Sequence, residues 1–101
     1  MIERAARRFG VFSDANRLRL INLLLTGGER SVGMLADELE TSQANVSKHL
    51  KVLLDAGIVG RRQEGTSAFY KVIDPSVKEL CDIVCSRIGS QARAEARAIG
   101  V

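Results

Sequence analysis

Residues 41–57 read TSQANVSKHLKVLLDAG, and this stretch decides the fold. Ser42 stands where a helix N-cap belongs. Its hydroxyl can accept one of the backbone N–H groups that a first turn leaves unpartnered. Gly57 can close the far end in a left-handed conformation that costs glycine little. Between them Val46, Leu50, Leu53 and Leu54 recur at i, i+4, i+7 and i+8, one apolar stripe. Ala44, Asn45, Lys48 and Lys51 fill the other side, with Gln43 and Ser47 on its flanks and no acid before Asp55. A greasy back and a short, polar, cationic front suit a helix that docks on a core and offers its first turns to a polar anion. DNA in its major groove is such a partner. An ordinary amphipathic surface helix would carry the same stripe, so the neighbouring elements have to decide.

Upstream, Ser31 can cap a helix with Val32, Leu35, Ala36 and Leu39 turned inward. Glu40-Thr41 is then a tight connection, and residues 31–57 have the form of a helix-turn-helix. Downstream of Gly57 the period shifts from 3.6 to about 2. Residues 58–63 and 67–73 are rich in strand formers and flank Glu64-Gly65-Thr66, a hairpin turn signal. Arg61, Arg62 and Lys71 decorate this hairpin. A charged hairpin alone is usually a solvated edge; directly behind a helix-turn-helix, residues 58–73 read as a wing.

Further out, Ser13 or Asp14 can cap a helix running to about Thr26. Leu18, Leu20, Ile21, Leu23, Leu24 and Leu25 cover most of its circumference, leaving Arg19, Asn22 and Thr26 as a narrow polar strip. This is the central core helix. Arg17 falls on its apolar side and needs a partner, for which Asp14 is the nearest acid. At the chain start, Ile2, Ala5, Ala6 and Phe9 form a helical stripe over residues 1–12. Asp74-Pro75 opens a last helix over residues 75–88, with aspartate as N-cap and proline at the first helical position. Val77, Leu80, Cys81, Val84 and Ile88 form its one-sided stripe. Short helices are marginal alone, so both terminal stripes need a cover. Residues 89–101 are alanine- and arginine-rich, a tail that either extends the helix or frays.

The whole is one mainly α domain over residues 1–101, α-α-α-α-β-β-α, with a β-hairpin wing: a winged helix-turn-helix. Its hydrophobic fraction of 46% excludes a disordered chain. The net charge of +3 is modest but unevenly placed. Residues 31–40 carry Asp37, Glu38 and Glu40 with no base, whereas residues 41–71 carry five bases against two acids. One end is thus locally basic, as a phosphate-facing surface should be. Two cysteines are too few for a disulfide framework, and no secretory signal or membrane-length apolar run is found. A cytoplasmic protein is the expectation.

Catalytic signatures are absent: no GxGxxG, P-loop, HExxH or GxSxG occurs. The single histidine, His49, falls on the flank of the 41–57 helix, and one histidine without a second nitrogen ligand does not make a zinc site. A thiol enzyme would need Cys81 or Cys85 to reach His49 from an element with a different task. The chain is read as a non-enzyme.

Taken together, residues 14–21 (DANRLRLI), 42–53 (SQANVSKHLKVL) and 55–59 (DAGIV) resemble the ArsR-type winged-helix repressors, the arsenic- and metal-sensing family. The likeness runs from about Phe9 to Ile88. It implies a homodimer on an inverted repeat in its own or a neighbouring promoter, released by an inducer. It also implies an interface built by the first and last helices, here Ile2, Ala5, Ala6, Phe9, Val77, Leu80, Val84 and Ile88. Two departures stand out. Arsenic sensors of this type carry Cys-Val-Cys where this chain has Ser31-Val32-Gly33, and zinc-type sensors carry Asp and His ligands along the last helix, which here has Asp82 but no histidine. Neither familiar metal site is present, and no cofactor is assigned.

The expected partners are double-stranded DNA and a second copy of the chain, with no membrane. Ser42, Gln43, Ala44, Asn45, Ser47 and Lys48 are expected at base edges and nearby phosphates. Lys51, Arg61 and Arg62 are expected mainly at phosphates, which position a protein without specifying sequence. The rival reading is a winged-helix module that binds protein instead. Cys81 and Cys85, at i and i+4, share one helix face. They cannot easily bond to each other, because both Cβ vectors point the same way. They either fill the core as small hydrophobes or serve as a thiol sensor of a soft metal or an oxidant.

Overall fold

The computed structural model describes the backbone of residues 1–98 and the side chains of residues 1–94. The order is α1 (Ile2–Phe12), α2 (Ala15–Gly27), β1 (Arg30–Ser31), α3 (Val32–Leu39), α4 (Gln43–Asp55), β2 (Val59–Glu64), β3 (Ser67–Val72) and α5 (Pro75–Ala98). The helix starts are set by local chemistry. Asp14 accepts from the backbone N–H of Asn16 and Arg17, Ser31 from Met34, Ser42 from Asn45 and Asp74 from Ser76. Each satisfies donors that the first turn cannot pair internally.

The helix ends are as specific. At the end of α4, Ile58 N–H reaches Leu53 C=O and Gly57 N–H reaches Leu54 C=O, each at 3.0 Å. Gly57 sits at φ +74°, so this is a Schellman closure that turns the chain directly into the wing. At the end of α3, Thr41 N–H reaches Ala36 C=O at 3.0 Å, and here the left-handed residue is Glu40, at φ +53°.

One core holds these elements. Leu20, Ile21 and Leu24 of α2 meet Leu35 and Ala36 of α3, Val46, Leu50 and Leu53 of α4, Ile58 and Val59 at the wing root, and Val77 of α5. Arg8 of α1 ties three elements together: it donates to Ala56 C=O at 2.6 Å and pairs with Asp74.

The structure departs from the sequence reading in several places. A third strand, β1, pairs antiparallel with β3, so the sheet runs β1-β3-β2. The first wing strand begins one residue later than expected and runs one residue further, taking in Glu64, the second ends one residue early, and Glu64 pairs with Ser67 around the two-residue turn Gly65-Thr66. Arg17 does not hand its guanidinium to Asp14; it donates to Val11 C=O at 2.7 Å and Gly10 C=O at 3.3 Å, carbonyls at the end of α1 that the helix cannot pair internally. On α4, Leu54 lies at the surface and His49 takes the fourth inward place. Val77 is fully buried in the chain's own core, so it cannot face a second copy; the free part of the last stripe starts at Leu80. The segment expected as a tail continues α5 to Ala98, and residues 99–101 lie outside the described residues.

Candidate nucleic-acid interface

The back of α4 is anchored: Val46, Leu50 and Leu53 are each at most 1% exposed. Its orientation is therefore fixed by packing. What it turns outward is Ser42, Gln43, Ala44, Ser47, Lys48 and Lys51, all exposed, with Asn45 half-buried at the edge. Asn45 Nδ2 donates to Thr41 Oγ1 at 3.2 Å, which holds its amide across the first turn. The expected reading residues are thus one contiguous surface over the amino-terminal half of the helix. Among the described residues Lys48 makes no ion pair, whereas Lys51 meets Asp55 at 3.2 Å in an exposed i,i+4 pair worth little against a phosphate.

The wing separates its two arginines. Arg61 is exposed and, among the described residues, bonds only Gln63 Oε1, at 2.9 Å. Arg62 is held by two carboxylates, Glu29 and Glu64, each at 2.6 Å, and its guanidinium lies 5.0 Å from the Phe69 ring centre. These hydrogen bonds raise the pKa of Arg62, and the Arg62 guanidinium holds Glu29 below the usual carboxylate range. Arg62 therefore clasps the wing to the turn before β1, and of the two arginines Arg61 is the one without an acidic partner among the described residues; Lys71 on β3 is likewise exposed and makes no ion pair there. Glu29, 33 residues away in sequence, could not have been read as its partner.

His49 is not on the flank of α4 but inside, 4% exposed, with Nδ1 buried and without a hydrogen-bond partner. At the other end of the molecule the α1 and α5 stripes lie open. Ile2 is 77% exposed, Phe9 64% and Ile88 60%, with Val84 close behind. Between the two helices and Leu18 of α2 lies an almost wholly apolar cleft of about 260 Å³, into whose wall both Cys81 and Cys85 are built. Burial, and secondarily Cys85 and Asp82, push the Cys81 thiol up. Cys85 is exposed. No group of three or more His, Cys, Asp or Glu among the described residues could hold a metal ion. Ser31, where arsenic sensors place a cysteine, is occupied as the cap of α3. The residues do not fit either familiar metal site of the resembled repressors. No helix among the described residues is long and apolar enough to cross a membrane.

A packed helix-turn-helix with a polar, cationic recognition face and a hairpin wing defines a winged-helix DNA-binding protein. Residues 14–60 match the model of the arsR family of bacterial regulatory proteins. An uncharacterised HTH-type transcriptional regulator of Methanocaldococcus jannaschii is 43% identical over 82 residues, covering 81% of this chain and 92% of the relative. The arsenical resistance operon repressor of Bacillus subtilis is 31% identical over 88 residues, covering 82% and 84%. Among solved structures, the homodimeric winged helix-turn-helix DNA-binding domain of a possible ArsR-family regulator from Mycobacterium bovis superposes with a TM-score of 0.81 at 26% identity, covering 92% of this chain and 85% of that one. The chain belongs to the arsR family. It is a DNA-binding transcriptional regulator and not an enzyme.

Proposed function

We propose that two copies of this chain join through α1 and α5 and set their α4 helices into successive major grooves of an inverted-repeat operator. The observation that carries this reading is the division of α4, whose inward residues are sealed into the core while residues 42–48 stand free at its front. Gln43, Ala44, Asn45 and Ser47 meet base edges, Ser42 and Lys48 bases and nearby phosphates, and Lys51 and Arg61 phosphates. Arg62 supports the wing and reaches a phosphate only by exchanging its carboxylates. The open apolar stripe of Ile2, Ala5, Ala6, Phe9, Leu80, Val84 and Ile88 is the surface a second copy covers; exposed apolar patches of this kind mark association sites. The homodimeric Mycobacterium bovis domain supports this placement.

The test is an electrophoretic shift with DNA upstream of the chain's own gene. The wild type shifts it at low salt, and Gln43→Ala relaxes discrimination by ~1–3 kcal/mol at each base pair that Gln43 reads. No shift at low salt with any flanking DNA would end the reading. Release is assigned to the α1–α5 cleft, with the exposed Cys85 as the more reactive thiol toward a soft metal or an oxidant and Cys81, whose thiol burial pushes up, as its partner one turn away. The arsenical resistance role of the Bacillus subtilis relative supports an inducer of that class. A Cys81→Ala/Cys85→Ala chain that binds operator yet ignores arsenite, cadmium and peroxide bears this out; one that still responds places the inducer elsewhere.

A further inference from the structure

A notch of about 110 Å³ opens beside the first two turns of α4, walled by Asn16 and Arg19 of α2 on one side and by Thr41, Asn45 and His49 on the other. Three observations meet there. Arg19 is exposed, and among the described residues its guanidinium bonds only Asn16 Oδ1, from Nη1 at 2.9 Å, which leaves most of its five N–H donors uncommitted there. Among the described residues it has no acidic partner, unlike Arg8, Arg30 and Arg62. His49 closes the inner wall of the notch and is buried. Thr41 and Asn45 make the notch continuous with the face proposed to enter the groove.

From these we infer that the notch seats a backbone phosphate of the DNA and that Arg19, steadied by Asn16, is a phosphate-clamping residue contributed by α2. This rests on the reading that α4 enters the major groove. The geometry follows from packing. Helix axes pack about 8–10 Å apart, and the major groove is about 12 Å wide. A cation carried on the helix beside α4 therefore stands over the ridge of phosphates that borders the groove. Arg19 matches a phosphate with two parallel N–H donors, which a point charge cannot do. The contact fixes how α4 is seated and carries no sequence information of its own.

The experiment compares wild type, Arg19→Ala, Arg19→Gln and Arg19→Lys on the operator and on random duplex across a salt series. Folding and dimerisation are checked by circular dichroism and sedimentation. For one phosphate per protomer, Arg19→Ala and Arg19→Gln make the slope of log Kobs against log salt shallower by about 2 per dimer. The ratio of operator to random affinity stays unchanged, and Arg19→Lys restores the slope. An unchanged slope in folded Arg19→Ala or Arg19→Gln dimers, with the wild type binding normally, overturns this inference alone. Failure of the wild type to bind any DNA overturns the reading beneath it. A parallel titration with inorganic phosphate, followed by the side-chain amide signals of Asn16 and Asn45, separates a free-anion site: saturation by free phosphate with an unchanged DNA slope also overturns the assignment.

Discussion

Arg61 and Arg62 are adjacent in sequence and alike in charge, yet only Arg62 is held by carboxylates in the folded chain. Arg62 is shared between Glu29 and Glu64 and stacked over Phe69, whereas Arg61 touches only a glutamine. Arg61→Ala is expected to make the salt dependence of binding shallower by about 2 per dimer, one phosphate per protomer, with sequence preference kept. Arg62→Ala should change the slope less and loosen the wing, seen as faster amide exchange in β2 and β3. The reverse pattern would mean that the carboxylates let go on binding. Glu40 offers a second test at this scale. A left-handed L-residue is strained by about 1–2 kcal/mol, and glycine removes that strain while adding about 0.5–1 kcal/mol of chain entropy to the unfolded state. Glu40→Gly should gain between about 0 and 1.5 kcal/mol, read from the urea midpoint. The residues a sequence hides are of this kind. A histidine three places after Val46 fits an inward stripe by spacing but not by type, so His49 read as flank. Arg17 and Arg62 found partners that only the folded chain brings near.

The elements were legible wherever their signals are local. The caps at Ser31, Ser42 and Asp74, the Gly57 stop, and the change of period at the wing can all be read directly, and the α2 cap was narrowed to Ser13 or Asp14, of which Asp14 is the one used. β1 was not legible, because two residues show no alternation and exist as a strand only by pairing with β3. The capping aspartates give the elements a pH dependence. Backbone N–H groups, of Arg17 first, hold Asp14 below the usual carboxylate range, and the Ser76 hydroxyl and N–H hold Asp74 below it. A carboxyl depressed in the folded state adds stability that is complete above its unfolded value, near 4, and lost as pH falls through its folded value. The melting temperature should therefore change little from pH 7 toward about 5 on this account and drop more steeply below about pH 4. Asp14→Asn keeps the cap oxygen and removes the titration, so it should flatten that drop. An equally steep drop in the asparagine variant would assign the acid sensitivity to other groups.

At the scale of the molecule, the proposed DNA face and the proposed dimer face lie on different elements, joined through the core and through Arg8, which links α1 to the end of α4 and to the cap of α5. The sequence showed that both terminal stripes lacked a cover. It could not show that Val77 belongs to the chain's own core, since periodicity does not tell one covering surface from another. Val84 is the clean probe of the dimer face because it is exposed in the single chain. Val84→Glu is expected to give folded monomers by sedimentation that no longer shift operator; a dimer of unchanged affinity would move the interface off α5. The dimer and the recognition helix meet in one observable, the spacing of the two half-sites. A hydroxyl-radical footprint of the wild-type protein on the DNA upstream of its gene should show two symmetric protected blocks. Their centres should lie about 34 Å apart, roughly 10–10.5 base pairs or a whole multiple of that spacing. Protection of a single half-site, or of none above random DNA, would contradict a dimer that reads an inverted repeat with its two α4 helices.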